Sequence, residues 1–392
     1  IFTNGDNDTF PLWYNQETEG VRTDARVCNL SYLQTDWYID QMRRPAYDSP
    51  SLPISWTRLQ YVTGTREGIP VQPDALQQVI DYYKDSPEDL KQMLGDNPYE
   101  LKNIIRHWVL NDNPDLQIFP TDSIVVTVDK EAVKRSGMMI AADSIPDVMH
   151  ISLKGKRAVY KSEMMMLEMI SQANWERPLY MSTTVGPDNY GHLGDNFVQE
   201  GLACRITPFD TKQSGRTIDS ERMYNNMMNK FKYGGLKENP DIYLDETVIR
   251  MCYTHRRLFN QLAQQLLKEG QKDKALKVLQ RAEEEIPGSI VPHEAFYGHS
   301  LELADAWLAL GHKAEAEKLL NAVGQNAKEY IEWYLSLNTQ RLLQSSRECL
   351  MQIYILNDIA KTWEPIDKKK AETYRMEVNN YASRCHQRGM SL

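Results

Sequence analysis

The chain of 392 residues lacks the local clusters that most site chemistries need. Its five cysteines (Cys28, Cys204, Cys252, Cys349 and Cys385) stand far apart. With no C-x-x-C pair and no Cys/His group at zinc spacing, neither a structural metal nor a disulfide framework is expected. The eight histidines are scattered and form no H-E-x-x-H array. There is no G-x-S-x-G, no phosphate-binding loop and no G-x-G-x-x-G, so no nucleophile elbow or nucleotide cradle is expected, and no cofactor. Basic residues are outnumbered, Lys plus Arg being 45 against Asp plus Glu 54 for a net charge of −9. That balance argues against a nucleic-acid partner, because phosphates must be neutralised by Lys and Arg. No apolar run approaches the roughly 20 residues of a membrane-spanning helix, and the mean hydropathy is −0.57.

What is present is ordinary globular material, with 41% hydrophobic and 25% charged residues. The length implies about two or three cores. The chain opens on Ile1-Phe2-Thr3-Asn4-Gly5-Asp6, which reads as the middle of a strand running into a turn, so the sequence is expected to be a piece of a longer protein.

The clearest pattern lies near the C-terminus. Between residues 256 and 287, Phe259, Leu262, Ala263, Leu266, Gly270, Ala275, Leu279, Ala282 and Pro287 fall at the spacing of a tetratricopeptide helix-turn-helix repeat. Ala263 and Ala275 are small enough for two helices to approach closely, Gly270 suits the tight connection, and Pro287 stops the second helix. Leu303, Ala304, Trp307, Gly311, Ala316, Leu320 and Val323 repeat the spacing about 41 positions later. A third helical pair, 339–363 and 367–384, keeps apolar periodicity without the small residues, as an atypical terminal repeat does.

Earlier in the chain, β-rich runs at 1–3, 26–30, 123–128, 149–153 and 178–183 alternate with helical patterns at 9–18, 36–43 and 162–174. Strand-helix-strand order implies an α/β layer with some parallel pairing. Pro73, the Ser86-Pro87-Glu88-Asp89 start and a second start at Asn97-Pro98-Tyr99-Glu100 mark a helical insertion. The expected architecture is an α/β domain with a partly parallel sheet over residues 1–249, carrying that insertion at about 73–110. An all-α array of tetratricopeptide-like helical hairpins follows over 250–392.

The most suggestive constellation is Asn4-Gly5-Asp6-Asn7-Asp8-Thr9, a turn between a strand and a helix, where open α/β sheets bind ligands. Asp6 and Asp8 form a D-x-D pair able to hold a divalent cation through oxygen ligands. The simpler reading is that Gly5 supplies the turn while Asp6 or Asp8 caps the helix begun by Thr9 and Pro11. Asp36, Trp13 and Trp37, with Tyr14, Tyr32 and Tyr38, belong to the same expected sheet edge, either as the lining of a sugar-binding cleft or as core packing. Met164-Met165-Met166 reads as a buried helix stripe. Asp122-Ser123-Ile124 and Asp143-Ser144-Ile145 resemble short acceptor sites for bacterial O-glycosylation, a pattern that also arises by chance.

Four segments carry a family resemblance: IFTNGDNDTFPLWYNQETEGVRTDARVCNLSYLQTDWYI at 1–39, KSEMMMLEMISQANWERPLYM at 161–181, GDNFVQEGLACRITPF at 194–209 and MYNNMMNKFKYGGLKENPDIYLDE at 223–246. They are similar to a large bacterial multi-pass membrane family related to protein O-mannosyltransferases. In that family a polytopic half precedes an extracytoplasmic soluble half that often ends in tetratricopeptide repeats. The resemblance covers about residues 1–330. It implies that this chain is the soluble C-terminal half, on the periplasmic face, tethered through membrane helices outside the present sequence. The catalytic acid of such enzymes lies between early membrane helices, so no residue here inherits a catalytic role. The expected function is a noncatalytic interaction module whose repeats bind a polypeptide partner or acceptor, with the membrane half of the same protein as a second partner. The alternative is a sheet-edge pocket for a sugar or a divalent metal that contributes to glycosyl transfer.

Overall fold

Strand β1 (Phe2–Thr3) is the pivot of the first half of the chain. It pairs in parallel with β2 (Cys28–Asn29) on one side, Phe2 opposite Cys28. Next in sequence come β3 (Gly68–Pro70), β4 (Ser123–Thr127) and β5 (Val148–Ser152), none of which joins this sheet. After them come β6 (Ala158–Tyr160), β7 (Tyr180–Ser182), β8 (Phe197–Gln199) and β9 (Ala203–Ile206). β7 lies parallel to β1 on its free side, and β9 and β8 continue the sheet antiparallel, giving the order β2-β1-β7-β9-β8. The pairs β3-β6 and β4-β5 stand as separate antiparallel ladders. In the second of these Ile124 faces Ile151 and Val126 faces Met149, so the alternation written in both strands turns one face into the core.

The computed structural model describes residues 1–139 and 145–390, so the Asp143-Ser144 acceptor pattern lies outside the described residues. These fall into two compact units, Ile1–Asp219 and Ser220–Leu392. The first is mixed α/β with a partly parallel sheet, and the second is all-helical. None of the described helices is long and apolar enough to cross a membrane.

In the first unit, helix α1 (Asp6–Glu17) carries the chain from β1 to β2, and α2 (Asp36–Met42) follows β2. Helices α3 (Ala75–Tyr82) and α4 (Pro87–Leu94), with the shorter Leu101–Ile104 turn, make the insertion. It has a small core of its own, built from Leu76, Leu94, Trp108 and Ile118. Pro87 opens α4 as expected, but Asn97-Pro98 opens no helix. Asn97 Oδ1 instead accepts the Tyr99 amide at 3.1 Å, forming an Asx turn, and the helix begins only at Leu101. Helix α5 (Lys161–Ala173) is buried along nearly its whole length, Met164, Met165, Met166 and Met169 included.

The second unit is built from helices that pack in consecutive pairs. They are α6 (Glu246–Lys268) with α7 (Lys272–Glu285), α8 (Ser300–Ala309) with α9 (Lys313–Ser336), and α10 (Ser346–Trp363) with α11 (Lys368–Gln387). The helix expected over 339–363 is broken at Ser345, whose φ of −103° and ψ of 19° separate a short Thr339–Gln344 helix from α10. Three helices close with the same device. Gly270, Gly311 and Gly389 have positive φ. In each case the glycine amide and the next amide reach back to carbonyls of the last turn: Gln271 to Leu266 at 2.8 Å, His312 to Trp307 at 2.9 Å and Met390 to Cys385 at 3.1 Å. This is the Schellman geometry, which a residue with a Cβ adopts only under strain.

Candidate functional site

The carboxyl ends of the three parallel strands meet at one edge of the sheet, and each is followed by polar residues. After β1 come Asn4, Asp8 and Thr9; β2 ends on Asn29 with Ser31 beyond it; β7 ends on Ser182 with Thr184 beyond. β1 hands the chain to β2 on one side, whereas its other neighbour β7 arrives much later, so the β1-β7 border is where strand order reverses. Such a border is the usual location of a ligand crevice in an α/β sheet.

The side chains here bond to one another. Thr3 and Thr9 hydroxyls lie 2.8 Å apart. Asn29 Nδ2 donates to the Gly5 carbonyl at 3.1 Å and to Thr9 Oγ1 at 2.9 Å. Asp8 is 9% exposed. Its Oδ2 accepts the Asn4 amide and the Thr184 hydroxyl, both at 3.0 Å. The Ser182 and Thr184 hydroxyls are 2.7 Å apart. Asp8 Oδ1 is buried without a hydrogen-bond partner. Asp8 therefore caps no helix in the expected manner: α1 begins at Asp6 with Gly5 as its N-cap, and Asp8, in the first turn, reaches back to the amide of Asn4. Gly5, at φ 77°, makes the turn that allows this.

The other expected residues are distributed around this edge. Asp6 is exposed. Asp36 is engaged elsewhere, 3.6 Å from the Arg58 guanidinium, and shares no partner with Asp8. Trp13 and Trp37 are brought together through a residue between them. Phe10 stacks on Trp13 at 5.6 Å, Trp13 on Tyr32 at 6.3 Å, and Tyr32 meets Trp37 at 5.9 Å. This ladder is half open to solvent, Trp37 being 50% exposed. Burial pushes the Cys28 thiol up to about 12, which removes it as a nucleophile. Among the described residues no group of three or more His, Cys, Asp or Glu side chains is arranged to hold a metal ion. Ser123 is exposed at the start of β4. Asn29 was read in the sequence only as part of a second strand-to-turn segment, and Ser182 and Thr184 were not singled out, although polar residues at the end of the 178–183 run were the signal that would have found them.

In the second unit, Phe259, Leu262, Ala263, Leu266, Leu279 and Ala282 are buried. Ala263 on α6 and Ala275 on α7 are fully buried, as are Ala304 on α8 and Ala316 on α9. Gly270 and Gly311 end the first helix of each pair, while Pro287 lies just beyond α7 and its carbonyl accepts the Ile290 and Val291 amides at 3.0 Å. Not foreseen was Arg256, which α6 projects into the interior. Its guanidinium donates to the carbonyls of Pro292 at 3.0 Å, Ile286 at 3.0 Å and Val291 at 2.8 Å. An arginine in step with Phe259, Ala263 and Leu266 was the available sign.

Burial also lowers the pKa of His255 and of His293 below the usual 6.5, in His293 against the opposing pull of Glu283 at 3.3 Å. The unfolded chain takes up these protons near 6.5 and the folded chain only at lower pH. The stability of this unit is thus complete above about pH 6.5 and falls as the pH drops towards the folded values. Thermal unfolding at steps from pH 7.5 to 5.5 is expected to show a falling Tm for this unit, and a flat Tm would contradict it.

A family model described as TMEM260-associated domain 2 matches residues 1–226. No curated protein and no solved structure is matched.

Proposed function

The chain belongs to the TMEM260-associated domain 2 family, and from that premise we propose that it is a noncatalytic interaction module of a membrane glycosyltransferase-like protein. On this reading the module sits at the extracytoplasmic face, and its paired helices form tetratricopeptide-like repeats that grip a polypeptide. The observation that carries it is the placement of aromatics in the second unit. Phe259 and Trp363 fill the interior, whereas Tyr330 and Trp333 on α9 and Tyr354 on the adjoining α10 stand in solvent, Trp333 at 54%. Large aromatic side chains held on rigid helices supply binding area at little entropic cost, and stacked helical pairs offer an extended surface on which to present them. Titrating the full chain with fluorescent unfolded peptides of mixed sequence is expected to give saturable binding that the Tyr330→Ala, Trp333→Ala double variant weakens at least about tenfold. Flat titrations across the peptide set would contradict the reading.

One observation favours a second reading, in which the sheet edge binds a sugar. The Phe10-Trp13-Tyr32-Trp37 ladder offers half-exposed ring faces on which a sugar can stack. Hexoses or lipid-linked sugar analogues should then perturb tryptophan fluorescence in the parent chain but less in Trp37→Ala. No perturbation by any of them would remove this reading.

A further inference from the structure

Two thiols 36 residues apart in sequence meet inside the last helix pair. Cys349 on α10 and Cys385 on α11 are both fully buried, with their sulfurs 3.9 Å apart. No other two cysteines are so placed. Cys28 and Cys204 lie in one sheet, but the register runs Cys28, Phe2, Met181, Cys204. Three strand spacings of about 4.8 Å hold those two well beyond disulfide reach. Cys252 belongs to α6.

We propose that Cys349 and Cys385 are the two halves of a disulfide that clamps α11 onto α10. The sulfurs already stand in van der Waals contact, and rotation about their side-chain bonds is the motion that closes the gap to a bond of about 2.05 Å. The oxidant is a disulfide of the glutathione or dithiol-oxidoreductase class. One protein thiolate attacks a sulfur of that donor and expels its first thiol. The second protein thiolate then attacks the mixed disulfide and expels the other. Two protons leave the cysteines and two electrons pass to the donor, which departs as two thiols. Burial raises the pKa of both cysteines, Cys349 to about 12, so the reaction belongs to folding or to moments when α11 lifts, when the thiols are wet.

The test refolds the full chain from denaturant in a glutathione redox mixture, where access to the thiols is not limiting, and in parallel under reductant. After oxidative refolding, titratable thiols in denaturant are expected to fall by two from five. The intact mass should drop by two hydrogens, and a nonreducing digest should contain a single linked peptide joining Cys349 to Cys385. The Tm of the second unit should exceed that of the reduced chain by about 5–10 °C. Cys349→Ala and Cys385→Ala should each abolish the linked peptide and the redox dependence of Tm. Because the unaltered chain is read by thiol count and mass, a variant that folds poorly does not blunt the test. Five thiols after oxidative refolding, a linkage through Cys28, Cys204 or Cys252, or an oxidised chain no more stable than the reduced one would each overturn the proposal.

Discussion

Replacing Arg256 with alanine is expected to cost the Ser220–Leu392 unit about 3–5 kcal/mol, among the largest single-site losses in the protein. The side chain is 1% exposed. Its fork of donors satisfies carbonyls at the end of α7 and in the 286–292 connection. A helix end leaves carbonyls without intrahelical partners, and buried ones need a donor from elsewhere. Alanine leaves the Ile286 and Val291 carbonyls unpaired, Pro292 keeping only the Tyr253 hydroxyl at 3.1 Å, and opens a void. Burial lowers the Arg256 pKa, with Glu283 and Tyr253 acting against it, yet a guanidinium keeps its charge, so the site always presents donors. Arg256→Lys should give an intermediate loss, because one ammonium cannot span carbonyls on both sides of the connection. Denaturant unfolding followed in the full chain measures this, and a loss below about 1 kcal/mol for Arg256→Ala would contradict the role assigned to the guanidinium.

Trp56→Ala is expected to cost the first unit a comparable amount, about 3–5 kcal/mol. Trp56 is 0% exposed although it lies in no regular element. Leu52, Ile54 and Trp56 are buried while Ser51 and Ser55 are not, so the segment behaves as an unpaired strand laid into the core. It is tied there by Glu168 of α5, whose Oε1 accepts the Ser55 amide at 2.8 Å and the Ser55 hydroxyl at 2.6 Å. The indole Nε1 has no hydrogen-bond partner. Trp56→Phe therefore removes an unsatisfied donor along with some volume and should cost clearly less than alanine. Equal losses for Phe and Ala would show that the indole nitrogen, not packing, is what matters at this position.

These two residues show where the sequence was and was not legible. The paired helices were readable because close approach demands alanine at fixed places, and because the glycines that end each first helix have a conformation other residues avoid. The parallel strands β1, β2 and β7 were readable as β-branched or apolar runs ended by turn residues. β8 and β9 were missed. They are three and four residues long, and Gln199, Cys204 and Arg205 interrupt any apolar alternation. Arg256 and Trp56 were missed for a different reason: their importance comes from carbonyls and helices distant in sequence, which no local pattern records. The candidate site divides the same way. Asp8 was singled out in the sequence as a position, but its acceptor role depends on Thr184, 176 residues away. The aromatic ladder likewise depends on Tyr32 bridging Trp13 and Trp37.

The claim that the second unit holds a polypeptide on its exposed aromatics is tested most directly in cells that make the protein. A photo-cross-linking amino acid is placed in turn at positions Tyr330, Trp333 and Tyr354, with exposed Lys154 of the first unit as the control. Illumination is predicted to yield a discrete protease-sensitive adduct from the three aromatic positions and none from the control. Adducts absent from all three, or adducts that resist protease, would contradict it.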